Sequence, residues 1–327
     1  MTKPLVELIV PVFNEGEALA ANLQEILHRS APPEGADYRL QLLVVDDGSS
    51  DETQQILRAF CAREPRARTL SFTRNFGKEA AISAGLDHAS PAAAAVVLLD
   101  SDLQHPPELI PEMIRRWRAG SLVVEAVKAG RGKESLASRC FARGFYGLFR
   151  VLARLDLRGQ SDFKLLDRQV FEHYRHLRER GRFFRGLIQW MNFPTARIPF
   201  HVPERETGGS RWSRLRLLRY ALHNITAFSA IPLQFISWCG AFSLLVGIVF
   251  GSQALLQKFR GEAVDGFTTV ILLLIFFSGV LMLSLGIIGH YLARIYEEIK
   301  ARPAYLIRPE SDGQPPPVPA SSDRAKP

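Results

Sequence analysis

Ala95-Val96-Val97-Leu98-Leu99-Asp100-Ser101-Asp102-Leu103-Gln104 sets a continuous apolar run directly against two aspartates spaced by one residue. A short apolar run that stops at polar residues reads as a strand buried on both faces, as in a parallel sheet covered by helices. An Asp-x-Asp at its end puts two carboxylates at the carboxyl edge of that sheet, where open α/β folds bind their ligands. Two earlier runs match it, Leu5-Val6-Glu7-Leu8-Ile9-Val10 and Leu40-Gln41-Leu42-Leu43-Val44-Val45, and between them Leu19, Leu23, Ile26 and Leu27 recur at helical spacing. The first 127 residues therefore read as a βαβ domain of the α/β class with a mostly parallel sheet. Its strands end in Asn14-Glu15, Asp46-Asp47 and Asp100-Ser101-Asp102, so three acidic ends converge on one crevice.

Each end has its own chemistry. Asp100 and Asp102 suit a hard divalent cation, Mg²⁺ or Mn²⁺, that bridges the protein to a diphosphate, with Gln104 supplying a third oxygen. Asp46 and Asp47, side by side before Gly48, can hydrogen-bond a base or ribose, while Ser50 or Asp51 caps the helix that follows. With Pro11 to Glu15 they complete a nucleotide pocket. Arg74 and Lys78 either contact the diphosphate or pair with nearby carboxylates.

The chain has 327 residues, 47% of them hydrophobic, which is too apolar for a disordered chain. Its net charge of +8 is unevenly divided, with 12 Lys/Arg against 18 Asp/Glu in residues 1–127 and 29 against 15 in the remainder. A basic back half calls for an anionic partner. Two stretches, from Arg219 to Lys258 and from Asp265 to Arg294, carry no charged residue between their ends, and each exceeds the roughly 20 apolar residues needed to cross a bilayer. They read as transmembrane helices near 230–256 and 267–292, which makes the partner a membrane and its lipids rather than nucleic acid. Arg211, Arg214, Arg216 and Arg219 precede the first span and Arg294, Lys300 and Arg302 follow the second, which places both termini in the cytoplasm. His290 lies close to Arg294 and reads as an interface residue. Trp190 and Trp212 read as packing or interfacial aromatics. Basic amphipathic segments fill 128–158 and 212–228, the second leading into the first span. Cys61, Cys140 and Cys239 have no pairing pattern and point to neither a disulfide framework nor a zinc site.

Val10-Pro11-Val12-Phe13-Asn14-Glu15, Val45-Asp46-Asp47-Gly48-Ser49, Arg74-Asn75-Phe76-Gly77-Lys78 and Asp100-Ser101-Asp102-Leu103-Gln104-His105-Pro106-Pro107-Glu108 together resemble the family 2 inverting glycosyltransferases with the GT-A fold. Within them the chain is similar to the polyprenyl-phosphate glycosyltransferases, the group of dolichol-phosphate mannose synthase and the bacterial bactoprenol glucosyltransferases. The resemblance implies that Pro11, Glu15 and Asp47 line the nucleoside site with Asp46 beside them, and that Asp100, Asp102 and Gln104 hold the metal. His105 stands where the pattern often has Asp. Ser161-Asp162-Phe163-Lys164 resembles the acceptor-side motif, whose aspartate, here Asp162, sits beside the sugar as a base or a positioning group. Arg205 to Trp212 resembles the basic glycine-containing loop before the membrane, with Arg211 in place of the usual Lys; Arg205 and Arg211 suit a lipid phosphate.

The implied activity is transfer of a hexose, UDP-glucose being the leading donor, to undecaprenyl phosphate at the cytoplasmic leaflet of a bacterial inner membrane. UDP-N-acetylglucosamine, a UDP-aminopentose and GDP-mannose remain alternative donors, and a silent nucleotide-sugar-binding scaffold that recruits a flippase remains an alternative class. The family also implies a homotetramer. The expected layout is a catalytic domain at 1–210, a juxtamembrane amphipathic helix at 211–229, a two-helix transmembrane domain at 230–293 and a cytoplasmic tail from 294, disordered from about 309 on compositional grounds.

Overall fold

A computed structural model describes residues 3–32, 36–128, 160–177, 179, 181–200, 231–260 and 266–309. Seven strands form one sheet: β1 (Leu5–Val12), β2 (Arg39–Asp46), β3 (Ala67–Ser71), β4 (Ala93–Leu98), β5 (Val123–Lys128), β6 (Gln160–Asp167) and β7 (Thr195–Phe200). Their order is β3-β2-β1-β4-β6-β5-β7. All three expected strands are present, within two residues at each end. β6 runs antiparallel to both neighbours, β4 and β5, and every other pairing is parallel, so β6 alone among these strands is reversed.

The sheet is covered on both faces, which explains its apolar runs. Val6, Leu8, Val10 and Val12 of β1 face a core shared with Leu19, Leu23, Ile26 and Leu27 of α1 (Ala18–Arg29), the four residues whose spacing marked that helix. On the other face Gly85 of α3 (Lys78–Asp87) approaches so closely that a Cβ there would lie 2.3 Å from Ile9 Cγ2. α2 (Thr53–Arg63) follows β2, and Asp51 Oδ1 accepts from Thr53 N at its start, one of the two caps expected there. α4 (Ile110–Arg118), α5 (Arg168–His176) and α6 (Phe184–Met191) complete the described helices of this unit. Asp167 both caps α5, accepting from Gln169 N at 2.8 Å, and accepts from Trp117 Nε1 at 2.7 Å.

A second unit holds α7 (Ile231–Phe259) and α8 (Phe267–Ile299). Within them Leu233–Gln253 and Leu273–Ile299 have mean hydropathies of 1.9 and 2.1, and neither is buried by the chain itself. Core helices of a soluble protein would be covered, so the two helices are suited to a membrane by length, composition and exposure together. α8 continues to Ile299, beyond the boundary expected at 293, because the apolar stretch ends before the helix-forming sequence does. The expected tail is corrected in part: residues 303–309 belong to the first unit, where Ile307 pairs with Phe72 in an antiparallel bridge. The amphipathic segments, Arg205, Arg211, Trp212, Cys140 and the chain beyond 309 lie outside the described residues. Trp190 is 62% exposed on α6, so of the two expected roles, packing and interfacial, it does not take the buried one.

Candidate active site

The acidic strand ends do meet. A cleft of about 320 Å³ opens at the carboxyl ends of β1, β2 and β4, lined by Pro11, Val12, Phe13, Glu15, Asp47, Asn75, Gly77, Lys78, Ala81, Asp100, Ser101 and Asp102. Backbone and side-chain bonds tie the loops that form it. Asp47 N donates to Val12 O at 2.9 Å, Asn14 N to Ser49 Oγ at 2.9 Å, and Glu15 N to Thr53 Oγ1 at 3.1 Å. Asn14 Oδ1 in turn accepts from Ser50 N at 2.9 Å, with Asn14 itself at a φ of 52°.

Adjacent aspartates have different tasks. Asp46 is fully buried and spends its oxygens on Ser49 N (2.9 Å) and Gln54 Nε2 (3.1 Å), so it shapes the loop and does not line the cleft. Asp47 lines the cleft and accepts from Phe76 N at 2.7 Å and Gly77 N at 2.9 Å. A carboxylate has lone pairs for about four bonds, so Asp47 retains capacity for a ligand donor. Burial pushes its pKa up, the two backbone donors oppose this, and Asp46 adds to the rise.

Asp100 and Asp102 face the same cleft. Lys78 Nζ lies 2.6 Å from Asp100 Oδ1 and 2.9 Å from Asp162 Oδ2, joining the aspartate at the end of β4 to the one on β6. Desolvation works against the charge of the half-exposed Lys78, but the two carboxylates outweigh it and hold the pKa above the ordinary lysine range. Arg74 is placed differently. Its guanidinium lies 4.0 Å over the Phe76 ring and donates to Asn75 O, and it does not line the cleft.

Asp162 is nearly buried on β6. Arg185 of α6 grips it with two bonds, Nε to Oδ1 at 2.7 Å and Nη2 to Oδ2 at 2.9 Å. Burial alone would raise its pKa, but Arg185 and Lys78 outweigh it and hold the carboxyl well below the usual range. Glu79, next to Lys78, accepts from Phe184 N at 2.9 Å and so fastens α3 to the start of α6. Burial pushes its pKa up to about 7, with the charge of Asp162 adding and the Phe184 donor, Arg185 and Lys78 opposing. Arg185 and Glu79 were not foreseen. Their partners are 23 and 105 residues away along the chain, and nothing in the local sequence marks the pairing.

His105 braces the loop after β4. Its Nδ1 accepts from Asp100 N at 3.0 Å and its ring stacks on Phe163 at 5.2 Å between centroids. An Nδ1 that accepts is unprotonated, and burial holds the pKa below the usual value, so the ring is neutral and its 3.8 Å approach to Asp100 Oδ2 is not an ion pair.

The donor set fits a hard cation shared with a substrate. Among the described residues no three His, Cys, Asp or Glu side chains form a cage. Mg²⁺, however, is held through one or two carboxylates plus substrate phosphates, which Asp100 and Asp102 can supply. The charge balance agrees, since Glu15 has its pKa raised by burial first and then by Asp102, Asp100 and Asp51, with only a Ser101 hydrogen bond opposing. Gln104 does not line the cleft; its backbone N donates to Asp102 Oδ1 at 3.1 Å, orienting that carboxylate.

Residues 7–175 match the model of the family described as "Glycosyl transferase family 2". The chain belongs to that family. The SfII prophage-derived bactoprenol glucosyl transferase of Shigella flexneri is 35% identical over 312 residues, covering 95% of this chain and 99% of the relative. The bactoprenol glucosyl transferase of Shigella phage SfV is 35% identical over 93% of this chain and 98% of its own length. A prophage bactoprenol glucosyl transferase homolog of Escherichia coli K12 is 34% identical over 93% of this chain and 98% of its own. The family match takes in the strands whose ends form the cleft, and the likeness to these relatives extends past it through both apolar helices.

Proposed function

We propose that this glycosyltransferase moves a glucosyl group from UDP-glucose to undecaprenyl phosphate at the cytoplasmic face of a membrane, inverting the anomeric configuration. One observation carries the reading: Lys78 ties Asp100 of the acidic cleft to Asp162 of the acceptor-side strand, so a donor diphosphate and an incoming nucleophile would meet across one ammonium. The names of the relatives support glucose and bactoprenol, and α7 and α8 suit an acceptor that stays in a bilayer.

In this reading Pro11, Glu15 and Asp47 receive the nucleoside, and Asp100 and Asp102 hold Mg²⁺ or Mn²⁺. The cation would neutralise charge on the departing diphosphate. Lys78 would supply a second positive charge at the same oxygens. An oxygen of the lipid phosphate attacks the anomeric carbon, the bond from that carbon to the donor diphosphate breaks, and UDP leaves with the electron pair. The phosphate has a second pKa of about 6 and is already nucleophilic near neutrality. Asp162, held far below that range by two cations, orients Arg185 and Lys78 and accepts no proton. Arg205 and Arg211 are proposed to bind the lipid phosphate as it arrives from the membrane.

The test is to incubate the purified protein with undecaprenyl phosphate, Mg²⁺ or Mn²⁺ and a panel of UDP- and GDP-sugars, and to weigh the lipid product. A hexosyl phospholipid formed only with metal and UDP-glucose supports the proposal. Product from another sugar nucleotide replaces the donor, and nucleotide binding without product favours a scaffold.

A further inference from the structure

The chain that leaves α8 rejoins the catalytic unit within a few residues, and it does so against the segment that builds one wall of the donor cleft. Ala301 takes a φ of 48°, turning the backbone out of the helix. Tyr305 then stacks on Phe72, centroids 5.1 Å apart and planes within 13°, and its hydroxyl donates to Asp87 Oδ2 at 2.9 Å. Thr73 N donates to Leu306 O at 3.0 Å and Arg308 N to Ser71 O at 2.7 Å, so the segment adds to the sheet edge at β3. Arg308 reaches further, donating from Nη1 to Gln54 Oε1 at 2.6 Å, and Gln54 Nε2 is the donor that holds Asp46.

Phe72 and Asp87 are the two ends of one stretch of chain. Between them lie Asn75, Gly77, Lys78 and Ala81, all of which line the cleft. Phe72 also packs edge-on against Phe76 at 5.7 Å, and the backbone N–H groups of Phe76 and Gly77 are the ones that Asp47 accepts. We propose that Tyr305, together with Leu306 to Arg308, is a positioning element of the donor site: it clamps both ends of the stretch 72–87 and, through Arg308 and Gln54, braces the Asp46–Gly48 loop on the opposite side.

The physical effect is pre-organisation. Thr73, Arg74 and Asn75 are exposed, and fixing the backbone of each such residue costs about 1–2 kcal/mol. Where the clamp has already ordered them, a ligand does not bear that cost; without it, apparent affinity falls with the fraction of chains whose wall is formed. Tyr305 can serve because burial, the Asp87 charge and the hydrogen bond to Asp87 all keep its phenol protonated and donating. The donor site is thus completed by residues that follow the second apolar helix, far in sequence from every motif that marks it.

This inference rests on the donor reading of the cleft, and the experiment separates the two. UDP and GDP binding, with Mg²⁺ present, are measured by calorimetry on the full-length detergent-solubilised protein and on Tyr305→Ala and Tyr305→Phe. Steady-state KM values for sugar nucleotide and lipid phosphate, kcat and melting temperature are measured alongside. Tyr305→Ala is expected to weaken UDP by about tenfold, the order of one hydrogen bond plus a ring contact, and to raise the donor KM equally. The lipid-phosphate KM and kcat should hold. Tyr305→Phe keeps the stack and should recover part of the affinity. Amide exchange over 73–78 should quicken in the order wild type, Phe, Ala.

Unchanged UDP affinity in folded Tyr305→Ala would overturn the proposal. So would a uniform fall of kcat and of both substrate affinities with a lowered melting temperature, since that is a structural effect only. If Tyr305→Ala fails to fold, Tyr305→Phe and Arg308→Ala decide by the same KM-against-kcat split. A wild-type protein that binds neither nucleotide would remove the donor reading itself, and this inference with it.

Discussion

Asp162 is held by two cationic partners, Arg185 and Lys78, an environment that favours its charged form so strongly that proton uptake near neutrality is closed to it. Asp162→Asn should therefore lower kcat by about 10²–10³, the usual cost of a misplaced electrostatic group, while the residual activity keeps the acid limb of its pH profile. If that limb vanished, Asp162 would be the base after all. Asp102→Asn keeps the shape of the side chain and loses the charge that a hard cation requires. Turnover should disappear with folding and membrane association intact, and calorimetric titration of Mn²⁺ in the presence of UDP should lose its heat. Glu79 gives a stability prediction. Its folded pKa of about 7 lies above the ordinary 4.5, so between those values the folded chain holds a proton that the unfolded chain releases, and stability falls as pH rises through that window. Glu79→Gln can still accept from Phe184 N but does not titrate. Its melting temperature should change less than the wild type's between pH 5 and 8, the difference corresponding to at most about 3 kcal/mol and less where solvent reaches the side chain. Equal slopes would place the pKa of Glu79 at its ordinary value.

At the scale of elements, the loop after β2 shows why a glycine stands inside the acidic motif. Gly48 has a φ of 70°, and a Cβ there would sit 2.3 Å from the Arg74 carbonyl carbon, against backbone that cannot rotate away. Gly48→Ala should push the Asp47 loop from the 74–77 loop, loosening the bonds from Asp47 to Phe76 and Gly77; we expect destabilisation of about 1–3 kcal/mol and weakened nucleotide binding, read by thermal melting and calorimetry. A variant that binds UDP as wild type would show that the two loops are not coupled. The same region shows what the sequence could and could not disclose. β1, β2, β4 and α1 were readable because each is a local pattern of apolar residues, and the acidic ends followed because strand ends and ligand sites coincide in α/β sheets. The reversed β6 was not, since Gln160, Ser161, Asp162, Lys164 and Asp167 leave this buried strand without an apolar run, and nothing in a strand's own sequence sets its direction. Asp46 and Asp47 looked equivalent, and only the fold assigns one to the loop and the other to the cleft. Arg185 reaches Asp162 from another element, and Lys164, buried in an ion pair with Glu125 of the neighbouring strand, carries no mark of burial in its own sequence. Tyr305 sits in a short apolar run that composition alone assigns to a tail.

On the scale of the whole molecule, hydropathy divides the chain where contacts divide it, between an α/β unit and a unit that holds two exposed apolar helices, whereas the change in charge near residue 127 falls inside the α/β unit. The segment 303–309 crosses that division in sequence, leaving α8 and rejoining the β3 edge, so the chain on both sides of the two helices contributes to one catalytic unit. This constrains topology. If the two helices cross a bilayer as a pair, residues before the first and after the second must share a compartment, and the Phe72–Ile307 bridge demands the same without reference to charge. From the excess of Arg and Lys outside the pair, against Lys258, Arg260, Glu262 and Asp265 between its members, we propose that this compartment is the cytoplasm. A reporter inserted near Gly261 should therefore signal the far side, while one fused after Arg308, with the bridge preserved, should signal the cytoplasm and leave the protein able to bind UDP. Two reporters on the same side would make one helix re-entrant or interfacial. A reporter after Arg308 on the far side would be incompatible with the bridge, because no chain can pair with the β3 edge from across the membrane.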